Sequence, residues 1–209
     1  MNLVFLGPPG AGKGTVAQKI ADHYDIPHIS TGDLFRGEIK AQSSLGKKVE
    51  SILKSGELVP DDLTIDLVKN RLVKDDARNG FIMDGFPRTT AQADKLLEIT
   101  SIDYVINFII PDESVIERLS GRRTCKNCGN MHHIQFMPPL KEGICDVCKG
   151  ELLTRDDDRP EAISNRLQVY KNQTQPLIAY FQDKNLIKDI DAEPAPETVL
   201  ERVKQVLEA

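Results

Sequence analysis

"NLVFLGPPGAGKGT", residues 2–15, runs from a short apolar stretch through a glycine-rich turn into a helical pattern. The stretch NLVFL is almost continuously apolar and stops at Gly7, which is how a strand buried on both faces reads. Beyond the turn, Val16, Ala17, Ile20 and Ala21 recur at helical spacing. Strand, tight loop and helix in this order bring backbone N–H groups and the positive end of a helix to one point, where phosphate is held. The spacing G-x-x-x-x-G-K-[ST] is met with one shift: Gly7, Gly12-Lys13, then Gly14 where a hydroxyl residue is usual, with Thr15 next. Lys13 is placed to reach the transferred group.

The same bounded, β-rich character recurs in FIMDGFP (81–87), in YVINFII (104–110) and more weakly in LIKDI (186–190). Helical patterns lie between them, so the expected fold is α/β, a mostly parallel sheet flanked by helices. Residues 160–184 read as one long helix with Pro160 in its first turn, a break in the pattern at residue 174 and a bend at Pro176. Val199, Val203, Val206 and Leu207 mark a final amphipathic helix. Residues 30–60, helical and polar, and residues 122–158, irregular and rich in proline and glycine, interrupt the alternation and read as insertions on the core.

The chain has 209 residues, 40% apolar and 28% charged, the make-up of an ordinary globular protein. Its apolar runs fall short of the ~20 residues of a membrane helix. The start MNLVFLGPPG has no basic n-region, so no secretory signal is expected and the location expected is cytoplasmic. With 27 basic and 32 acidic residues the net charge is −5, against broad nucleic-acid binding, and an anionic ligand must be held by a local cluster. Nothing calls for a second copy, and a monomer is expected.

All 4 cysteines fall in CKNC and CDVC, giving Cys125, Cys128, Cys145 and Cys148 the spacing C-x2-C-x16-C-x2-C. This suits a tetrahedral zinc site built from four cysteines, and in a reducing compartment metal is favoured over disulfides. Four thiolates leave no coordination position for water, so the expected zinc is structural. A segment under ~40 residues rarely builds a sufficient core alone, which gives the metal a reason to be there. His132 and His133 are rival ligands by type only.

Asp84 closes FIMD at the C-terminal end of a core strand, where ligands of open α/β sheets lie, and could orient Mg²⁺. Arg36, Arg88, Arg122, Arg123, Arg155 and Arg166 sit in or beside loops and insertions. Joining two nucleotides gathers roughly six negative charges, and guanidinium groups suit bidentate contact with phosphate.

GPPGAGKGT (7–15), STGDLFR (30–36), DGFPRT (84–89), GRR (121–123), TRDDD (154–158) and NRL (165–167) together resemble the adenylate kinase family over essentially the whole chain. The resemblance implies a P-loop nucleoside-monophosphate-kinase-like fold with two mobile insertions. The core would be residues 1–29, 60–121 and 159–209, with an AMP-binding insertion at 30–59 and a zinc-binding lid at 122–158. It implies Mg²⁺-dependent transfer of the ATP γ-phosphoryl group to AMP, giving two ADP. Gly10, Ala11, Gly12, Lys13, Gly14 and Thr15 would contact ATP phosphates, with Arg122, Met131 and His132 holding ATP from the lid. The AMP site would comprise Thr31, Arg36, Glu57, Leu58, Val59, Gly85, Phe86, Pro87, Arg88 and Gln92, with Arg155 and Arg166 clasping phosphates at the junction. Lys13, Asp84, Arg88, Arg122, Arg155, Arg166, Asp157 and Asp158 would form the catalytic set, the last two aspartates aligning the lid.

Two other readings compete. Kinases of UMP or CMP resemble this core but typically carry a short lid, so the long insertion favours AMP, as do Thr31 and Gln92 at the family's base-recognising positions. A zinc-ribbon nucleic-acid-binding ATPase is disfavoured by the acidic charge and the scarcity of aromatic residues for base stacking.

Overall fold

The computed structural model describes residues 1–208. Five parallel strands form the central sheet: β1 (Asn2–Leu6), β2 (His28–Ser30), β3 (Phe81–Asp84), β4 (Tyr104–Ile109) and β8 (Ile187–Asp191), in the order β2-β3-β1-β4-β8. Leu3, Val4, Phe5 and Leu6 are all buried, because strand alternation sends them to two different cores. Leu3 and Phe5 pack with Val16 and Ile20 of α1 (Lys13–Tyr24), Val115 of α6 (Asp112–Ser120), Ile163 of α7 (Pro160–Val169) and Val199 of α9 (Pro196–Leu207). Val4 and Leu6 pack on the opposite face with Val68 of α4 (Asp61–Leu72), Leu96 of α5 (Thr90–Ile99) and Phe181 of α8 (Leu177–Gln182). This is the expected α/β architecture. No helix among the described residues is long and apolar enough to cross a membrane.

The short strand β2 lay outside the expected elements. Its three residues follow Pro27 and carry no run that a period can mark, yet they pair in parallel with β3, Ser30 opposite Asp84. The single helix expected over 160–184 is interrupted: Tyr170–Thr174 form a π-type turn between α7 and α8, closed by the Gln175 N–H donating to the Tyr170 carbonyl at 2.8 Å. Pro176 supplies no N–H and blocks a regular continuation, so the ladder slips by one residue before it.

The two interruptions differ physically. Residues 30–60 carry α2 (Thr31–Lys40) and α3 (Ser44–Ser55), capped by the Ser30 and Ser43 side chains. They read as polar, but Phe35, Val49 and Val59 form a small core of their own. Residues 122–158 hold a three-stranded antiparallel sheet of β5 (Arg122–Cys125), β6 (Met131–His133) and β7 (Leu152–Leu153). The buried cluster there is Cys125, Cys145 and Leu152, far too little apolar surface to fix a fold.

Candidate functional site

Gly7 and Gly12 show why the loop before α1 needs glycine. A Cβ on Gly7 would lie 2.7 Å from the Phe108 carbonyl oxygen, and Gly12, the N-cap of α1, has φ of 87°. The loop therefore lies against the sheet and turns into the helix with no side chain between it and a ligand. Lys13 folds back over it, Nζ donating to the carbonyls of Gly7 at 2.8 Å and Pro8 at 2.7 Å. Burial lowers its pKa to about 8, with Arg88, Arg166 and Arg122 adding to the fall and Asp84 opposing it.

A cavity of about 750 Å³ opens over this loop. Its wall includes Gly10, Ala11, Gly12, Lys13, Gly14, Thr15, Asp84, Gly85, Pro87, Met131, His132 and Asp157. Arg36, Arg88, Arg122, Arg155 and Arg166 reach it from five different parts of the chain, with Glu57 and Leu58 at one side. The parallel register places the Asp84 carboxylate there at the end of β3, Oδ2 lying 3.4 Å from His28 Nε2. Burial alone would raise the Asp84 carboxyl, but His28, Lys13 and Arg88 outweigh it and hold it below the usual range.

The arginines are held by fixed partners. Arg166 donates to the Asp157 carbonyl at 2.9 Å and to Asp158 Oδ1 at 3.0 Å. Arg155 Nε donates to Thr124 Oγ1 at 2.8 Å, Arg88 Nε to the Gly85 carbonyl at 2.8 Å, and Arg36 Nη2 to Asp33 Oδ1 at 2.6 Å. Burial, then the neighbouring Arg122 and Arg36 charges, lower the pKa of Arg155 to about 9. Burial likewise lowers Arg166 to about 10. Both remain cations at neutral pH, and their mutual repulsion makes the cavity a receptor for several anionic groups.

Arg36 on α2 and Arg122 and Arg123 on β5 lie within the two insertions, as expected, and Arg166 lies on α7. Other expectations need correction. Arg123 leaves the group, its Nη1 donating to the Ser120 and Arg122 carbonyls. Phe86 turns into the core at 1% exposure instead of lining the cavity. The Asp158 side chain is fully buried beneath Arg122 and Arg166 and stands behind the wall. Thr31, Val59 and Gln92 line a smaller adjoining pocket with Phe35 and Leu53.

Sequence reading missed Arg118. It sits in the last turn of α6, where a basic residue looks like an ordinary helix end, but Nη1 and Nη2 donate to the Ala192 and Glu193 carbonyls at 3.0 and 2.7 Å. That fixes a planar cation in the cavity wall, which Pro194, His133 and Phe136 also line. A signal for this existed only in space.

The four cysteine Sγ atoms lie within 4.8 Å of one another, with Cys125–Cys148 at 3.3 Å and Cys128–Cys145 at 3.7 Å. A tetrahedron with bonds of ~2.3 Å has S–S edges of ~3.8 Å, so these residues could hold a metal ion. The N–H groups of Cys128 and Asn127 lower the Cys125 thiol, whereas the neighbouring cysteines raise that of Cys128, so the four sulfurs, crowded together without an ion, do not all ionise alike. Neither histidine joins the cluster: His132 Nε2 meets Asn130 Nδ2 at 3.2 Å, and His133 Nδ1 accepts from the Gln135 and Phe136 N–H groups.

A glycine-rich loop under Lys13, a surrounding group of arginines and a small sheet carrying four clustered cysteines are a specific combination, and comparison with known proteins agrees with it. The family model described as adenylate kinase matches residues 5–186. The chain belongs to the adenylate kinase family. It is 61% identical over 204 residues to the adenylate kinase of Treponema denticola, covering 98% of each chain. It is 50% identical to that of Lachnoclostridium phytofermentans, covering 99% of this chain and 98% of the relative. For Thermosipho africanus the figure is 49%, with 99% of each covered. Membership of the adenylate kinase family makes the chain a nucleoside monophosphate kinase with the P-loop fold described above.

Proposed function

We propose that the chain transfers the γ-phosphoryl group of ATP to AMP in the cavity over the loop, reversibly and to give two ADP. The observation that carries this reading is the convergence of Lys13 with Arg36, Arg88, Arg122, Arg155 and Arg166 on one cavity, beside a smaller pocket that Gln92 lines. ATP phosphates would lie on Gly10 to Thr15 with its base toward Arg118 and His133. AMP would occupy the Gln92 pocket, its phosphate facing Arg36 and Arg88.

In this reading Lys13 leaves the Gly7 and Pro8 carbonyls for the transferred group, and Arg122, Arg155 and Arg166 neutralise the charge gathering on its oxygens. Positioning and charge do most of the work, because phosphoryl transfer needs little covalent help from the protein. Asp84, anionic and beside the loop, and the Thr15 hydroxyl are the oxygens that would hold magnesium arriving with ATP. The ion would add charge neutralisation on the phosphate oxygens.

Residues 30–59 and 122–158 would act as moving covers over a core of 1–29, 60–121 and 159–209, since transfer to water is avoided only if both nucleotides are enclosed. Zinc on Cys125, Cys128, Cys145 and Cys148 would give the lid the rigidity that its small apolar cluster cannot supply. A cytoplasmic monomer is the setting that suits such a role.

Product analysis with ATP, Mg²⁺ and equal AMP, UMP, CMP or GMP tests the assignment. Two ADP from AMP, with the other acceptors far slower, is the expected result; preference for a pyrimidine monophosphate would overturn it.

A further inference from the structure

Gln92, in the first turn of α5, is 1% exposed and lines the pocket formed with Phe35, Leu53 and Val59. A side-chain amide has two donor hydrogens and two acceptor lone pairs, and a flip exchanges them. Here both partners demand the same orientation. The Arg88 N–H donates to Gln92 Oε1 at 2.8 Å, and Gln92 Nε2 donates to Asp61 Oδ1 at 2.7 Å. A backbone N–H can only donate and a carboxylate only accepts, so the amide carries a double lock.

The lock is braced. Asp61 Oδ2 accepts from Thr89 Oγ1 at 2.9 Å, and Thr89 Oγ1 in turn accepts from the Gln92 N–H at 3.2 Å. Other hydroxyls in the pocket have committed their protons, Thr31 to the Gly85 carbonyl at 2.9 Å and Thr64 to the Pro60 carbonyl at 3.1 Å. Gln92 is left with one N–H and one lone pair of fixed sense. That pair matches a base edge carrying a ring-nitrogen acceptor beside an amino donor, as adenine does. It opposes the inverted edge of hypoxanthine, which carries a ring N–H beside a carbonyl.

We propose that Asp61 is a positioning residue for base selection: by accepting from Gln92 it fixes the amide in the sense that reads adenine and rejects the inverted edge. This rests on the reading of the pocket as the AMP base site. Asp61 also lies in the first turn of α4, where a negative charge favours the helix in any case. Asp62, exposed in the same turn, controls for that contribution.

The experiment measures kcat and KM with AMP and with inosine monophosphate for wild type, Asp61→Ala, Asp61→Asn and Asp62→Ala. In Asp61→Ala only the Arg88 N–H opposes a flip, so the AMP-to-IMP ratio of kcat/KM falls on the order of 10-fold through KM for AMP, with kcat and KM for ATP little changed. Asparagine can still accept from Gln92 and donate to Thr89, and keeps the ratio within about 3-fold. Asp62→Ala keeps it too, even where its melting temperature falls. An unchanged ratio in Asp61→Ala, an equal loss for both acceptors, or a loss in Asp61→Asn as large as in alanine overturns the proposal. A wild type that makes no ADP from AMP refutes the underlying reading instead.

Discussion

Arg122 grips Asp158 through two hydrogen bonds, Nε to Oδ2 at 2.7 Å and Nη2 to Oδ1 at 2.6 Å, with the carboxylate wholly out of solvent. The pair joins the first residue of the 122–158 segment to its last, so the two ends of the segment are clamped together. Arg166 of the core shares the same carboxylate. One aspartate thus fixes two of the guanidinium groups that face the cavity.

Asp158→Ala leaves those two guanidiniums without their carboxylate in a largely buried setting. A stability loss of about 3 kcal/mol is expected by urea unfolding, with ADP formation down on the order of 100-fold. Phosphate ions, taking the place of the missing charge, should stabilise the variant more than wild type. A loss below about 1 kcal/mol would show that the clamp is not structural.

Lys13→Met removes the cation over the loop and should lower kcat by about 10³-fold or more while the protein stays folded. The lysine also has a pH signature. Its folded pKa of about 8 is lowered by burial, so the folded state loses this proton before the unfolded state does. Stability of wild type relative to Lys13→Met should therefore rise as pH goes from about 8 toward 10.5, by about 1 kcal/mol after allowance for solvent in the cavity. A difference that is flat or falls over that window would contradict the assignment.

Removal of metal by a chelator, or Cys145→Ser, should release the 122–158 segment because little apolar surface remains there to hold it. Amide exchange is expected to rise sharply in that segment and hardly at all in the sheet strands, with Tm lower by about 5–10 °C. Uniform exchange and an unchanged melting profile would refute a structural metal.

Gly46→Ala tests the packing of the 30–59 insertion. A Cβ at Gly46 would overlap the carbonyl group of Glu38, so α2 and α3 must part. The expected result is a cost of about 1–3 kcal/mol and a raised KM for AMP, with KM for ATP unaffected. Equal changes in both KM values would show that the insertion does not serve one nucleotide alone.

Much of this molecule was legible in the chain itself. Apolar runs at 2–6, 81–84 and 104–109 became parallel strands, the glycine loop became the turn into α1, and four cysteines in two pairs came together as their spacing predicts. These features depend on residues close in the chain, where period, glycine conformation and ligand spacing act directly.

Folding alone settled the rest. His28 meets Asp84 because a three-residue strand pairs beside β3. Arg118 becomes a wall of the cavity because the 192–194 loop accepts its hydrogen bonds, and Arg123 drops out because nearer carbonyls capture it. Gln92 acquires a fixed sense only when α4 brings Asp61 to it. Each outcome turns on which donor finds which acceptor across tens of residues, and that is a property of strand register and helix packing, which local sequence does not encode.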